Sequence, residues 1–244
     1  MEYIFKDIHS HVLARIDDGS DSMEKSLEIL KSMEDSGTKA LVLTPHYCVR
    51  RGYKPSAEKI RSAFEELKAQ CRNSGIDIDL FLGCEIEYST DIPQLLKSGS
   101  LLTMADTKYI LTEFPPYINV RDMINAVQTL IQLGFIPIIA HVERYPALKS
   151  DFEAVIHLRN IGAKIQVNVD YVTSRLIFTD NFLKALITQR TIDFVAGDVH
   201  CNTYTSAQLK RCARIIQKYS SSDYAEDVFY KNAEKILKNT EEKN

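Results

Sequence analysis

Short apolar runs alternate along the chain with longer stretches in which apolar positions recur every three or four residues. The short runs at residues 4–8, 40–43, 78–82, 109–111, 136–140, 163–169 and 192–196 predict seven strands. The longer stretches predict helices over 22–36, 56–73, 120–133, 151–160, 180–189, roughly 205–219 and 224–238. Gly37, Gly75, Gly134 and Gly162 stand where four of these helices should stop. Asp21 and Glu24 are spaced for a capping box at the start of the first helix. From Asn239 the chain is a polar tail. Strand and helix in regular alternation mean parallel strands joined by right-handed crossovers. The expected fold is therefore α/β, and seven strands in this length point to a barrel, although an open doubly wound sheet shows the same alternation. No linker or repeat divides the sequence, so residues 1–244 are expected to form one domain.

Composition narrows the function. The chain has 244 residues, 45% of them hydrophobic, enough for a sizeable core. A net charge of −3 gives no field that would favour nucleic acid or an anionic membrane. Residues 1–10 lack the apolar stretch of a signal peptide, and no apolar run approaches the ~20 residues of a membrane span. Cys48, Cys71, Cys84, Cys201 and Cys212 are odd in number and form no C-x-x-C pair, which fits free thiols in the cytoplasm.

The candidate chemistry lies in the histidines. Five of six (His9, His11, His46, His141 and His200) fall just after a predicted strand, and only His157 lies within a helix. The C-terminal ends of parallel strands are where α/β folds keep their active sites. Acidic residues gather at the same rim: Asp7-Ile8-His9-Ser10-His11 followed by Asp17-Asp18-Gly19, then Thr44-Pro45-His46, Gly83-Cys84-Glu85, Glu113, His141-Val142-Glu143-Arg144, and Asp198-Val199-His200. Strand alternation turns His9 and His11 to the same side. Taken singly, each motif has an ordinary reading. A lone H-x-H is ambiguous, Asp-Asp-Gly is commonly a turn, Arg144 suits an ion pair, and Cys201 reads as a spectator thiol. Their recurrence at one end of successive strands points instead to a metal site. Imidazole and carboxylate without thiolate favour zinc, manganese or iron. The donors are too many for one tetrahedral ion and suit two or three ions bridged by carboxylate, which activate water and clamp a phosphoryl oxygen. A cysteine phosphatase is excluded, because Lys54, Asp77, Thr90, Ala207 and Lys218 stand where its Cys-x5-Arg loop requires arginine. Neither G-x-x-x-x-G-K-[ST] nor G-x-G-x-x-G occurs.

This ordered set, from residue 4 to about residue 200, resembles the PHP-type tyrosine-protein phosphatases, manganese-dependent enzymes of bacterial capsule and exopolysaccharide loci. The resemblance implies a distorted seven-stranded (β/α) barrel and two to three ions, Mn2+ first, with Zn2+, Fe2+ or Co2+ as alternatives. It implies that His9, His11, Asp18, His46, Glu85, Glu113, His141, Asp198 and His200 are ligands, with Glu85 bridging. Arg144 would hold phosphate, and Asp198 or His200 would assist the leaving group. The implied substrate is the phosphotyrosine tail of a tyrosine autokinase that controls polysaccharide export. Two positions depart from the family pattern. Ala14-Arg15 replaces the usual Pro-Gly. Cys201-Asn202-Thr203-Tyr204-Thr205 follows His200 without the usual second phosphate-binding arginine, leaving Lys210, Arg211 or Arg15 as substitutes. Two rival readings follow from the same residues: another PHP hydrolase, such as a histidinol-phosphate phosphatase or a phosphodiesterase, and a metal-stabilised regulatory protein without catalysis.

Overall fold

A computed structural model describes residues 4–174, 179–201 and 203–237; the predicted polar tail and Lys238 lie outside these. In chain order the elements are β1 (Phe5–Asp7), α1 (Met23–Asp35), β2 (Thr38–Leu43), β3 (His46–Tyr47), α2 (Ala57–Asn73), β4 (Asp79–Leu82), β5 (Glu85–Glu87) and α3 (Ile92–Lys97). There follow β6 (Tyr109–Glu113), α4 (Val120–Gln132), β7 (Ile136–Ile139), α5 (Pro146–Ser150), α6 (Phe152–Asn160), β8 (Lys164–Asn168), α7 (Val169–Thr173), α8 (Asn181–Thr188) and β9 (Phe194–Ala196). The described chain closes with α9 (Ser206–Tyr219), α10 (Ser222–Glu226) and α11 (Asn232–Leu237).

The helices form where their apolar spacing gives one face to bury. Ile29, Leu30 and Met33 on α1, Ile60, Phe64 and Leu67 on α2, and Met123, Val127 and Leu130 on α4 all point into the core. The start of α1 corrects the predicted cap. Ser22, not Asp21, is the N-cap, in extended conformation, and its side chain accepts from the Lys25 amide. The Asp21 carbonyl is instead bonded by Arg15. The last predicted helix is also interrupted. A π-turn over Asp227–Lys231 separates α10 from α11, and it packs Val228 and Phe229 inward. Phe229 reaches Phe5 at a centroid distance of 5.3 Å.

Every strand pair is parallel, in a three-stranded sheet ordered β1-β2-β4 and a six-stranded sheet ordered β3-β5-β6-β7-β8-β9. The α/β reading stands, but the second and third predicted strands each continue past a break. Between β2 and β3 stands Pro45, which has no amide hydrogen to give a ladder. Between β4 and β5 stands Gly83, whose absent Cβ would sit 2.8 Å from the Met104 sulfur. β3 and β5 are too short for periodicity to reveal. Beyond the ends of β1 and β9, Asp198 N donates to the His9 carbonyl at 3.0 Å and His11 N to the Val199 carbonyl at 2.7 Å. Ser10 and Val199 thus form a parallel bridge.

One glycine controls the approach to the candidate site. A Cβ on Gly19 would lie 1.8 Å from the His11 carbonyl oxygen and 2.6 Å from its Cβ. The turn bearing Asp17 and Asp18 therefore lies directly on the strand end only because residue 19 has no side chain. Gly19→Ala is expected to destabilise the protein by about 3 kcal/mol or more. At Gly75, φ is +66° with open space around it, so Gly75→Ala should cost only the left-handed backbone penalty, about 1 kcal/mol. Urea unfolding of both variants checks this, and equal costs would remove the close approach as the constraint.

Candidate metal centre

All nine sequence-predicted ligand positions come together at the strand ends. The innermost is Glu85, with no exposed surface, at the first position of β5. Its Oε2 lies 3.2 Å from His9 Nε2, 3.2 Å from His11 Nε2 and 3.0 Å from His46 Nδ1, and its Oε1 lies 2.9 Å from His141 Nε2. Glu113, at the end of β6, places Oε1 3.4 Å from His46 Nδ1 and Oε2 3.8 Å from His141 Nε2. Asp198 Oδ1 lies 3.4 Å from His9 Nε2 and 3.6 Å from His11 Nε2. On the open side Asp18 Oδ1 lies 3.4 Å from His46 Nε2 and 3.7 Å from His200 Nε2. His157 stays on the exposed face of α6, as its helical position predicts.

These contacts are close but largely not hydrogen bonds. Glu85 Oε2, His46 Nδ1 and Glu113 Oε1, which lie against one another, are buried without a hydrogen-bonding partner. Buried polar atoms left unpaired are costly, so their convergence calls for something between them. Ligand bonds of about 2.1 Å put neighbouring donor atoms about 3.0–3.4 Å apart, the spacing seen here. Among the described residues four groups of donors lie within 4.8 Å of one another: His11, Asp18, His46 and His200; His9, His11 and Glu85; His46, Glu85 and Glu113; and Cys48, Glu87 and Glu113. His11, His46, Glu85 and Glu113 each belong to two of them. The residues therefore fit more than one divalent ion, with the Glu85 carboxylate shared.

The electrostatics agree. Burial alone would drive the His9 and His46 imidazoles neutral. Glu85 and Asp198 around His9, and Glu113 and Glu85 around His46, instead push their pKa values up to about 9 and about 10. Burial would likewise raise Glu85, yet His9, His11, His141 and His46 hold it well below the usual carboxylate range. The cluster thus demands positive charge, which protons or metal ions supply in competition.

An outer ring aims these side chains. Asp17, held down to about 2 against its burial chiefly by His11, accepts from His11 Nδ1 at 2.7 Å and from the His46 amide at 2.8 Å. It thereby fixes which ring nitrogen of His11 faces inward. Gln166 Oε1 meets His9 Nδ1 at 3.2 Å and accepts from the His141 amide at 2.9 Å. Its amide donates to Asn168 Oδ1, and Asn168 donates to Asp198 Oδ2 at 2.9 Å. Asp7 accepts from the Gly197 and His9 amides. His141 and Asp198 have left-handed backbones, at φ +35° and +51°, a strain that suits functional positions. Sequence reasoning gave Asp17 and Asp7 no role and missed Gln166 and Asn168. The signal was present, because Gln166 and Asn168 are alternate polar residues ending an apolar run and so face one side.

Arg144 Nη2 lies 2.5 Å from Asp198 Oδ2, with the arginine side chain 55% exposed. The substitutes named for the missing arginine are elsewhere. Arg15 is tied to the Asp21 carbonyl and lines a cleft with Met23, Ala63 and Glu66. Lys210 and Arg211 sit on the exposed face of α9. A different cation is present: Arg51 bonds Asp18 and, at 3.1 Å, His46 Nε2.

Fold and donor set together define a parallel α/β protein with a candidate multi-ion centre at its strand ends. The solved histidinol phosphate phosphatase of Lactococcus lactis subsp. lactis, complexed with zinc, L-histidinol and phosphate, shares this fold, at a TM-score of 0.60 and 11% identity over 88% of this chain and 94% of that one. The chain itself belongs to the CpsB/CapC family of capsular polysaccharide synthesis, which it matches over residues 5–238. It is 28% identical to the tyrosine-protein phosphatase CpsB of Streptococcus agalactiae serotype V over 240 residues, 96% of this chain and 98% of the relative. It superposes at a TM-score of 0.85, with 28% identity over 96% of this chain and 94% of the other, on a crystal structure from work on YwqE of Bacillus subtilis and CpsB of Streptococcus pneumoniae, described as metal-dependent tyrosine phosphatases.

If the converging donors hold ions, a chelator should lower the melting temperature by about 5 °C or more, since ions bind only the folded site. Restoring a divalent metal should recover it. A melting temperature that ignores both treatments would argue against a shared site.

Proposed function

We propose that this chain is a metal-dependent protein-tyrosine phosphatase, formed by one domain. Its fold is then a distorted seven-stranded barrel, a reading supported by the Ser10–Val199 bridge and by counting β2 with β3 and β4 with β5. His9, His11, Asp18, His46, Glu85, Glu113, His141, Asp198 and His200 hold two to three ions, Mn2+ in the first instance, with Zn2+, Fe2+ or Co2+ as alternatives. The substrate is the phosphotyrosine tail of a bacterial tyrosine autokinase that controls polysaccharide export, encountered in the cytoplasm. Among the described residues no helix is long and apolar enough to cross a membrane. The observation that carries the reading is the convergence of three imidazole nitrogens on one unpaired Glu85 oxygen. The 28% identity to metal-dependent tyrosine phosphatases along nearly the whole chain supports it.

Bound ions would supply an activated water and neutralise the phosphoryl charge. The side chains do the rest. Arg144, half exposed at the rim, turns its planar fork to two phosphate oxygens. Asn168 keeps hold of Asp198 Oδ2 when it does so. His200, its Nδ1 3.0 Å from the Asp198 carbonyl, lies 30% exposed beside Asp198 on the open side. Of the two, His200 is the group placed to assist the departing oxygen, since Asp198 stays ionised beside His9 and Arg144. A phenolate leaves readily at a pKa of ~10, so the demand on that acid is modest. No thiol is needed. Cys48, Cys71, Cys84 and Cys212 are buried, and only Cys201 is exposed.

Arg144→Ala should keep its ions and lower kcat/KM on an aryl phosphate by about 10²-fold. Arg144→Lys should recover part of the loss, because a point charge replaces a fork. His141→Ala should lose metal as well as activity. Wild-type turnover and KM in Arg144→Ala would make that arginine a structural ion-pair residue. Substrate class is tested separately, by comparing a phosphotyrosine peptide with histidinol phosphate on manganese-loaded protein. Faster turnover of histidinol phosphate would overturn the tyrosine-phosphatase reading. Alkylation of Cys201 should spare most of the activity, and complete loss with the ions retained would point to a thiol mechanism.

A further inference from the structure

We propose that Arg51 is the second phosphate-gripping guanidinium of this site, facing Arg144 across the centre and standing in for the arginine missing after His200; this rests on the phosphatase reading. Arg51 ends a single helical turn, Val49–Arg51, that leaves β3 just beyond His46. The turn is pinned at its base. Cys48 and Tyr53 exchange backbone hydrogen bonds of 2.8 and 3.0 Å, and Gly52, at φ +84°, supplies the left-handed residue that reverses the chain. Its first arginine is committed elsewhere: Arg50 clasps Glu87 Oε1 with two nitrogens, at 2.9 and 2.6 Å. The second is thereby directed to the open side, where its guanidinium lies 5.2 Å from the centroid of the Tyr53 ring. That ring in turn stacks on His46, at 5.9 Å and 14°.

The company Arg51 keeps is the argument. It bonds Asp18 and His46, two of the four residues whose donors converge with those of His11 and His200. A guanidinium has five donors and no electron pair to give, so it cannot be a fifth ligand. A permanent positive charge beside atoms arranged for cations is repulsive unless an anion comes between them. Arg144 poses the same problem on the other side, against Asp198. Two half-exposed guanidinia, 37% and 55% accessible, are each held by one candidate ligand carboxylate, and His200 lies 3.7 Å from one of these carboxylates and 3.6 Å from the other, so a phosphate dianion between the guanidinia would resolve both conflicts. An Arg51–Asp18 ion pair alone explains neither the arginine's approach to the His46 ring nor its stacked placement on Tyr53.

Inorganic phosphate is the probe, titrated calorimetrically into manganese-loaded protein whose ion content is measured in parallel. Arg51→Ala should weaken phosphate binding by about tenfold or more with the ions retained, the loss expected for one charge-assisted contact. KM for an aryl phosphate should rise more than kcat falls, and Arg51→Lys should restore part of the affinity. Arg211→Ala, on the exposed face of α9, should bind phosphate like the wild type. Unchanged phosphate affinity in Arg51→Ala overturns the assignment. So does loss of affinity that accompanies loss of ions and returns at saturating metal, which would make Arg51 a prop for Asp18 and His46. If the wild type itself binds no phosphate, the phosphatase reading fails along with this one, so the two failures are distinguishable.

Discussion

A carboxylate with no exposed surface must be met by positive charge, and at Glu85 four imidazoles from two strands and the turn after a third meet it. Water cannot reach the group, so the burden falls on protein atoms whose positions are set far away along the chain. His9 and His11 arrive from the end of β1, His46 from β3 and His141 from the turn after β7. Sheet order follows from this need as much as it causes it. The two-residue β3 pairs its His46 directly with Glu85 on β5. The break at Pro45 lets that short strand join a different sheet from β2 while keeping the rim in register.

The same constraint explains the polar ring behind the site. An imidazole that must present one nitrogen inward needs its other nitrogen fixed, and Asp17 and Gln166 do this for His11 and His9. Gln166 also holds the amide of His141, whose left-handed backbone would otherwise be free to relax. Through Asn168 the ring reaches Asp198, the second left-handed residue, so the strained positions are both tied to β8. A strand that contributes no candidate ligand is therefore the brace for two of them.

Much of this was legible in the sequence, for physical reasons that vary by residue. The long helices were clear because their buried faces obey a 3.6 period, as in Ile60, Phe64 and Leu67, whereas the short α3, α5 and α7 went unpredicted. The candidate ligands were clear because strand ends are where apolar runs stop, and histidine or carboxylate recurs there. The capping residue was displaced by one because Ser22 and Asp21 are both good caps, and the choice was made by Arg15 occupying the Asp21 carbonyl. β3 and β5 were invisible because two or three residues cannot show a period. Arg51 was passed over because nothing local distinguishes it from Arg50. Only Glu87, brought close by β5, commits one of the pair and leaves the other at the rim.

Asp7 bonds the amide of Gly197, and the His9 carbonyl bonds that of Asp198, contacts that join positions about 190 residues apart. A ribosome making this chain releases His9 and His11 about 190 residues before their partners Asp198 and His200. Until then Glu85 and its histidines form an unfinished cage. Such distant closure is slow and comes late in folding. An ion that needed all of these donors would be captured only once synthesis had passed residue 200.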